Sequence, residues 1–568
     1  MAIVCWVRRL ATARFPSRAG SSWQLSVESL ERRLTPATLT VRNTHDSGTG
    51  SLRAALLSAD LTPGPDRITF AIPASDPGFV DANHDHQFEP GDYWSIAPAT
   101  PLPAVTGQVF LDGWSQGGFG YHDSPLIELN GAAAGNGTDG LLFDHVFGGT
   151  VRGLAINRFD GSGIALENSS DLTLVGNFLG TDPGGRVALG NNQAGLFLSD
   201  SARNTIGGTR PGERNLVSGN HLQGIHVEGA GSFANRIVGN LVGSTVSGDT
   251  ALGNGSQVYL GDGIRLEGAS FNVIGGATPA ERNVVAGNFD DGIDLHDGST
   301  HNVVEGNYVG IDITGTRPLG NGADGVYLQN ASFNLIGSTV SGDANVIGNN
   351  GYNGVFLYGD SHANAIIGNF IGTNARGDRL GNGAIASFAD GIFLAQFDTP
   401  RGPSNNRIIG NTIANNAGGG ITIDLNAEGN SVGNSILANS IHDNGGLAID
   451  LGEDGVTPNH PGGSPTGPNH LQNYPILQPP VANGDGTSTL SGTLNATPNS
   501  VLRIEFFASS RGGDADVFLG AITVVTDASG NSPTFHLTFR PVAGKPFLTA
   551  TATNLLTGDT SEVSAAVS

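Results

Sequence analysis

The chain has 568 residues, of which 87 are glycine, and carries a formal charge of −24. Glycine this abundant without a three-residue period excludes collagen, and the ordinary apolar content excludes a disordered chain. The negative field, with Lys545 as the sole lysine, argues against nucleic acid; Cys5, the only cysteine, allows neither a disulfide framework nor a thiolate metal site; and no apolar run reaches the roughly 20 residues of a membrane helix.

Residues 1–37 read as an export or processing segment. Arg8, Arg9, Arg14 and Arg18 flank a short apolar stretch from Ala2 to Trp6. Leu30-Glu31-Arg32-Arg33-Leu34-Thr35-Pro36-Ala37 resembles the short leader of many large bacterial surface proteins. A tail without an address is the plain alternative.

The next distinctive stretch is Asp81 to Asp92. Oxygen-bearing side chains at Asp81, Asn83, Asp85, Glu89 and Asp92, with the backbone carbonyl of Gln87, follow the ligand spacing of an EF-hand calcium loop. His86 stands where that loop turns on glycine, Asp92 replaces the bidentate glutamate, and no amphipathic helices flank it. Calcium is the expectation here, against a polar surface insertion that binds nothing.

From about residue 140 onward two short signatures interleave. One is glycine followed by alternating apolar residues, as at Gly224-Ile225, Gly263-Ile264, Gly292-Ile293 and Gly325-Val326. The other is Asn-x-apolar-x-Gly-Asn, as in Asn215 to Asn220, Asn283 to Asn288 and Asn406 to Asn411. Strands this short, recurring without helical periodicity, predict a solenoid in which each coil pairs in parallel with the one before it. Asparagine suits the turns and can stack as a ladder along the axis. Hairpin-like insertions recur at 180–191, 243–254, 310–321 and 372–382, and a second insertion recurs at 206–214, 274–282 and 336–344.

Residues 38–451 read as the solenoid, and roughly residues 38–478, with Asp46-Ser47-Gly48, Gly50-Ser51-Leu52-Arg53-Ala54-Ala55 and Asp112-Gly113-Trp114-Ser115-Gln116 at their start, resemble the right-handed parallel β-helix proteins of bacterial surfaces, related in architecture to pectate lyases. The resemblance implies an all-β right-handed parallel β-helix and is specific for fold rather than activity.

Period-two alternation turns Ile225, Ile264 and Ile293 inward, so the residues after them face out. One outward column runs His226, Arg265, Asp294, Tyr327, Phe356, Phe393; the next runs Glu228, Glu267, His296, Gln329, Tyr358. Neighbours in a column are expected ~4.8 Å apart, the spacing of paired strands. His226, Glu228, Arg265, Glu267, Asp294 and His296 therefore gather on one surface, beside an aromatic run of Tyr327, Phe356, Tyr358 and Phe393. Carboxylates on adjacent coils suit the ~5 Å separation of retaining glycosidases. What the resemblance to pectate lyases would imply is different: Arg265 as the base, with carboxylates holding calcium. Ordinary cross-strand ion pairs are the plain alternative. Asp262, Asp291, Asp324 and Asp390 each precede a strand glycine, a recurring turn that backbone bonding alone explains.

Residues 452–480, rich in proline, glycine and asparagine, read as a cap or linker, and Asn469 to Pro475 resembles a segment that closes the helix in such proteins. Longer alternating strands from 481 to 568 predict a small β-sandwich resembling the immunoglobulin-like modules of bacterial surface proteins. The expected protein is extracellular or surface-bound, a monomer without a membrane span. Its expected role is to present a carbohydrate-binding or adhesive face to a polysaccharide or cell-surface glycan. A polysaccharide lyase or glycoside hydrolase centred on Arg265, Glu228, Glu267 and Asp294 is the second reading, and a structural envelope protein without a ligand the third.

Overall fold

The computed structural model describes residues 37–568 except 63, 83, 85–87, 341, 398–400, 426–430 and 464. Residues 1–36 of the expected export segment at 1–37, and three of the expected calcium ligands, Asn83, Asp85 and Gln87, lie outside the described residues.

Glycine, isoleucine and asparagine build each coil. Among the described residues the coils form two 13-stranded sheets and one 11-stranded sheet. The first sheet runs from Thr38–Val41 to Ser435–Leu437, the second from Phe79–Val80 to Ser440–His442, the third from Leu141–Asp144 to Ile449–Gly452. Strand pairing within these three sheets is parallel, apart from the antiparallel start of the second at Phe79–Trp94, and isolated antiparallel bridges such as Thr181 to Ala188 close the insertions. The chain is a right-handed parallel β-helix followed by a small β-sandwich.

Aliphatic side chains stack coil over coil inside. Ile164, Leu196, Ile225, Ile264, Ile293, Val326, Val355 and Ile392 form one column of the third sheet, each buried in the shared core. Removing each from water stabilises the fold by about 1.5–3 kcal/mol. The glycine ahead of each of these strands is required by close approach: a Cβ on Gly292 would sit 2.6 Å from Val309 Cγ1 and 2.7 Å from the Gly325 carbonyl oxygen.

Asparagine ladders hold the three corners. In one, Asn235 donates its backbone N–H to Asn272 Oδ1 at 2.9 Å and its Nδ2 to the same oxygen at 3.0 Å. Asn272 repeats both bonds to Asn302, and Asn302 to Asn334. Parallel ladders run through Asn240, Asn283 and Asn307 and through Asn254, Asn288 and Asn321. These side chains are buried, so each unmade bond would cost about 1–3 kcal/mol. The ladders fix the register on which the outer face depends.

Both ends of the solenoid are closed. At the start, the helix Leu52–Leu61, N-capped by Ser51, turns Leu52, Ala55, Leu56 and Ala59 onto the core. At the other end two three-stranded antiparallel sheets enclose a second core. Their loops and strands satisfy the last coil: Ala438 N–H donates to Glu505 Oε2 at 2.7 Å, Ile436 N–H to Thr560 Oγ1 at 2.9 Å, and Leu451 N–H to Glu562 Oε1 at 3.1 Å. The sandwich thus covers open strand edges rather than hanging from a linker. Its first strand, Ile476–Ala482, starts inside the stretch 452–480 that the sequence assigns to a cap or linker. Pro479 and Pro480 are tolerated because this is an edge strand whose pairing with Ser488–Thr493 shifts register between Gln478 and Val481.

Candidate functional site

The third sheet displays the site. His226 pairs with Arg265, Arg265 with Asp294, Asp294 with Tyr327, Tyr327 with Phe356 and Phe356 with Phe393. The neighbouring column pairs Glu228 with Glu267, Glu267 with His296, His296 with Gln329 and Gln329 with Tyr358. Every residue placed on this surface by sequence periodicity is brought onto it.

Arg265 is the hub of the ionic half. Its Nε lies 3.3 Å and its Nη2 3.2 Å from Glu267 Oε2, and its Nη1 lies 3.3 Å from Asp294 Oδ2 and 3.7 Å from Asp262 Oδ2. His226 Nε2 stands 3.6 Å from Glu267 Oε2 and 3.9 Å from Glu228 Oε2, and His296 Nδ1 lies 3.5 Å from Asp294 Oδ2.

Alternation predicts Asp294 facing outward, and it does, yet the residue is only 2 % exposed because its neighbours cover it. Its Oδ1 has no hydrogen-bond partner among the described residues, and neither has His226 Nε2. Asp294 is therefore an orienting charge beneath the surface, whereas Glu228 and Glu267 reach solvent.

The electrostatics follow from burial and from this crowding. Burial, with Arg265 alongside, pulls His226 down to about 4, so it is a neutral ring. Asp294 beside His296 pushes that imidazole up. For Arg265, burial pulls down, but Asp294, Asp262 and Glu267 together raise it above the usual guanidinium range. A guanidinium so held keeps its proton, the opposite of what a base needs.

The aromatic half continues directly upward. Tyr327 and Phe356 have ring centroids 5.2 Å apart, Phe356 and Phe393 stack at 5.3 Å with planes 23° apart, and Tyr358 contacts the exposed Phe397 at 5.8 Å. Tyr327 Oη donates to Gln329 Oε1 at 2.9 Å, which turns its ring into the column. Burial raises its phenol well above the ordinary range.

A second acidic group lies just beneath the turn: Asp262, Asp290 and Asp291 bring carboxylate oxygens within 4.8 Å of one another. Two of the three belong to a ladder. Asp262 Oδ1 accepts Asp291 N–H at 3.3 Å, Asp291 Oδ1 accepts Asp324 N–H at 2.7 Å, Asp324 Oδ1 accepts Asn353 N–H at 2.7 Å, and Asn353 Oδ1 accepts Asp390 N–H at 2.8 Å. Burial raises Asp262 and Asp291 well above the carboxylate range, Asp324 to about 7 and Asp390 to about 6. The Asp-Gly turns thus bond backbone, with Arg265 supplying a positive charge above Asp262. Asp290, outside the ladder and half-buried, sits in the turn rather than in a strand, where two-residue alternation assigns no facing; burial and Asp294 raise it.

In the calcium-like loop, Asp92 is buried and accepts Ala82 N–H on Oδ1 at 2.8 Å and Glu89 N–H on Oδ2 at 2.9 Å, while Asp81 Oδ1 accepts His84 N–H at 2.6 Å. These bonds close the loop through its own backbone.

Fold and site together define a β-helix protein with an ionic and aromatic strip along one sheet. Residues 104–259 match the model of the family described as periplasmic copper-binding protein (NosD). That stretch holds His122, His145, His221 and His226 but neither cysteine nor methionine. None of its described residues joins a cluster of three or more possible His, Cys, Asp or Glu metal ligands. A comparison with curated proteins gives no match. Among solved structures, the periplasmic alginate epimerase AlgG is 13 % identical with a TM-score of 0.40, covering 67 % of this chain and 77 % of that one. Full-length tailspike protein 2 from Escherichia coli O157:H7 bacteriophage CAB120 is 13 % identical with a TM-score of 0.30, covering 91 % and 65 %. The catalytic domain of a GH87 α-1,3-glucanase is 12 % identical with a TM-score of 0.20, covering 73 % and 70 %.

Proposed function

We propose that this is an exported protein whose third sheet binds a polysaccharide or cell-surface glycan along its outer face. One observation carries the reading: the stacked run of Tyr327, Phe356 and Phe393 continues in register from the Arg265, Glu267 and Glu228 cluster. Aromatic faces take the apolar faces of sugar rings, and exposed carboxylates and a guanidinium take their hydroxyls. Export is supported by the basic start of the chain and by the periplasmic description of the matched family. No described helix is long and apolar enough to cross a membrane.

Catalysis on the same face is the second reading, favoured by Glu228 and Glu267 standing on adjacent coils with His226 Nε2 between them. That arrangement suits glycoside hydrolysis better than elimination, since Arg265 is held protonated. Affinity electrophoresis of the full chain across a polysaccharide panel, with product analysis on the same panel, tests both. Retardation without product supports binding; product lost in Glu228→Gln and Glu267→Gln supports hydrolysis. Neither would leave a structural envelope protein.

A further inference from the structure

We propose that a cleft on the outer face of the first sheet is a second glycan site, and that it takes an acidic sugar, a pyranose carrying a carboxylate or sulfate. The cleft encloses about 780 Å³, within the size range of pockets for small ligands. It lies at the corner between the first and second sheets, and none of its lining residues belongs to the third sheet. Its walls are the segment 113–122 and the insertion 207–214, which meet where Gly212 packs against the His122 carbonyl.

Strand register creates its charged floor. Arg67 pairs with Phe110, and Asp112 pairs with Arg152 on the next coil. Asp112, with a side chain 1 % exposed, accepts Arg67 Nη2 at 2.6 Å and Arg152 Nε and Nη2 at 2.7 and 2.8 Å. Both guanidiniums lie over the Phe110 ring, 5.0 and 4.7 Å from its centroid, and Arg152 also lies 5.3 Å from that of Trp114. One buried carboxylate therefore fixes two arginines while leaving Arg67 Nε and Nη1 and Arg152 Nη1 without a hydrogen-bond partner among the described residues. Planar donors held this way match the two oxygens of a carboxylate or sulfate.

Arg210 adds a third guanidinium at the rim, 83 % exposed and 3.9 Å from Glu213. Three arginines against the carboxylates of Asp112 and Glu213 make this cleft positive in a chain of charge −24. That contrast draws anions to it.

A simple inorganic anion would need no aromatic rim, but Phe119 stands fully exposed at the mouth beside Tyr121. The cleft also opens into a groove along the sheet, where Thr150, Thr173 and Thr205 stand in register one coil apart and lead to Arg236. Ring faces, an anion cradle and a row of hydroxyls are the recognition elements of an acidic saccharide longer than one unit.

Calorimetric titration of the full chain at low ionic strength with trigalacturonate, a sulfated disaccharide and neutral maltotriose tests this. At least one anionic probe should bind tenfold or more tighter than maltotriose, and the tighter of the two identifies the substituent. Arg210→Glu and Phe119→Ala, both on exposed side chains, should each weaken that binding tenfold or more with no change in melting temperature. Phe356→Ala on the third sheet should leave it intact. Equal binding of all three probes, no binding of either anion, or an affinity untouched by Arg210→Glu overturns the proposal. Loss of the anion in Phe356→Ala would assign it to the third-sheet face and overturn it equally.

Discussion

Arg265 and Asp294 are register partners on adjacent coils, and Arg265 Nη1 stands 3.3 Å from an Asp294 oxygen that is shut off from solvent. Truncating Arg265 to alanine would leave buried Asp294 with His296 Nδ1, 3.5 Å away, as its remaining ion-pair partner among the described residues. The expected cost is about 3–5 kcal/mol in chemical denaturation. Adding Asp294→Asn should restore most of that loss. A single variant within about 0.5 kcal/mol of the parent would show that the pair does not carry the face.

The aspartate ladder predicts a pH dependence. Burial raises Asp324 to about 7 and Asp390 to about 6, above the unfolded value of 3.8. Folding therefore takes up protons at these sites. The stability they contribute is complete below about pH 4 and is lost as pH rises through 6 to 7. The melting temperature should be higher at pH 5 than at pH 8. Asn353 already occupies one rung with the same acceptor geometry. Asp324→Asn should accordingly stabilise the chain at pH 8 by roughly 1–2 kcal/mol and flatten the profile. A variant less stable than the parent at pH 8 would contradict this.

Glycan binding on the third sheet should depend on Phe356, which contacts Tyr327, Tyr358 and Phe393. Phe356→Ala should weaken retardation on the bound polysaccharide by about tenfold or more, the scale of a central aromatic contact. Leu357→Ala, one residue on and facing the core, should lower stability by about 2–5 kcal/mol while sparing affinity in the folded fraction. Equal effects of both on affinity would mean that folding alone was being measured.

Calcium in the loop formed by Asp81, Asn83, Asp85, Gln87, Glu89 and Asp92 is testable by heat. A bound ion raises the melting temperature as its concentration passes the dissociation constant, and Asp81→Ala should abolish that rise. Asp92 holds two backbone N–H groups. Asp92→Ala should therefore lower the melting temperature even in chelator. No calcium-dependent rise in the parent would reduce the loop to its backbone role.

Facing and register were legible in the sequence because two-residue alternation and the Gly-Ile and Asn-Gly-Asn repeats are local. They place His226, Arg265 and Asp294 in one column without reference to anything distant. Burial within that column was not legible, since the covering of Asp294 depends on which way Arg265 and His296 lean. The arginine cleft was invisible for a different reason. Arg67, Arg152 and Arg210 come from separate coils, and only the fold of 207–214 onto 113–122 brings the last to the others. The sandwich boundary was displaced because prolines normally signal a break, and Pro479 and Pro480 escape that meaning only at a sheet edge. Residues 1–36 and the centre of the calcium-like loop fall outside the described residues.

The embrace of the last coil by Glu505, Thr560 and Glu562 sets where growth of the stack must stop. A parallel solenoid has no intrinsic length, because every finished layer is a template for another, whether from the same molecule or a second one. By occupying the amides that would recruit that next layer, the C-terminal module makes the molecule finite, and shortened chains that end before it would be prone to polymerise tip to tail.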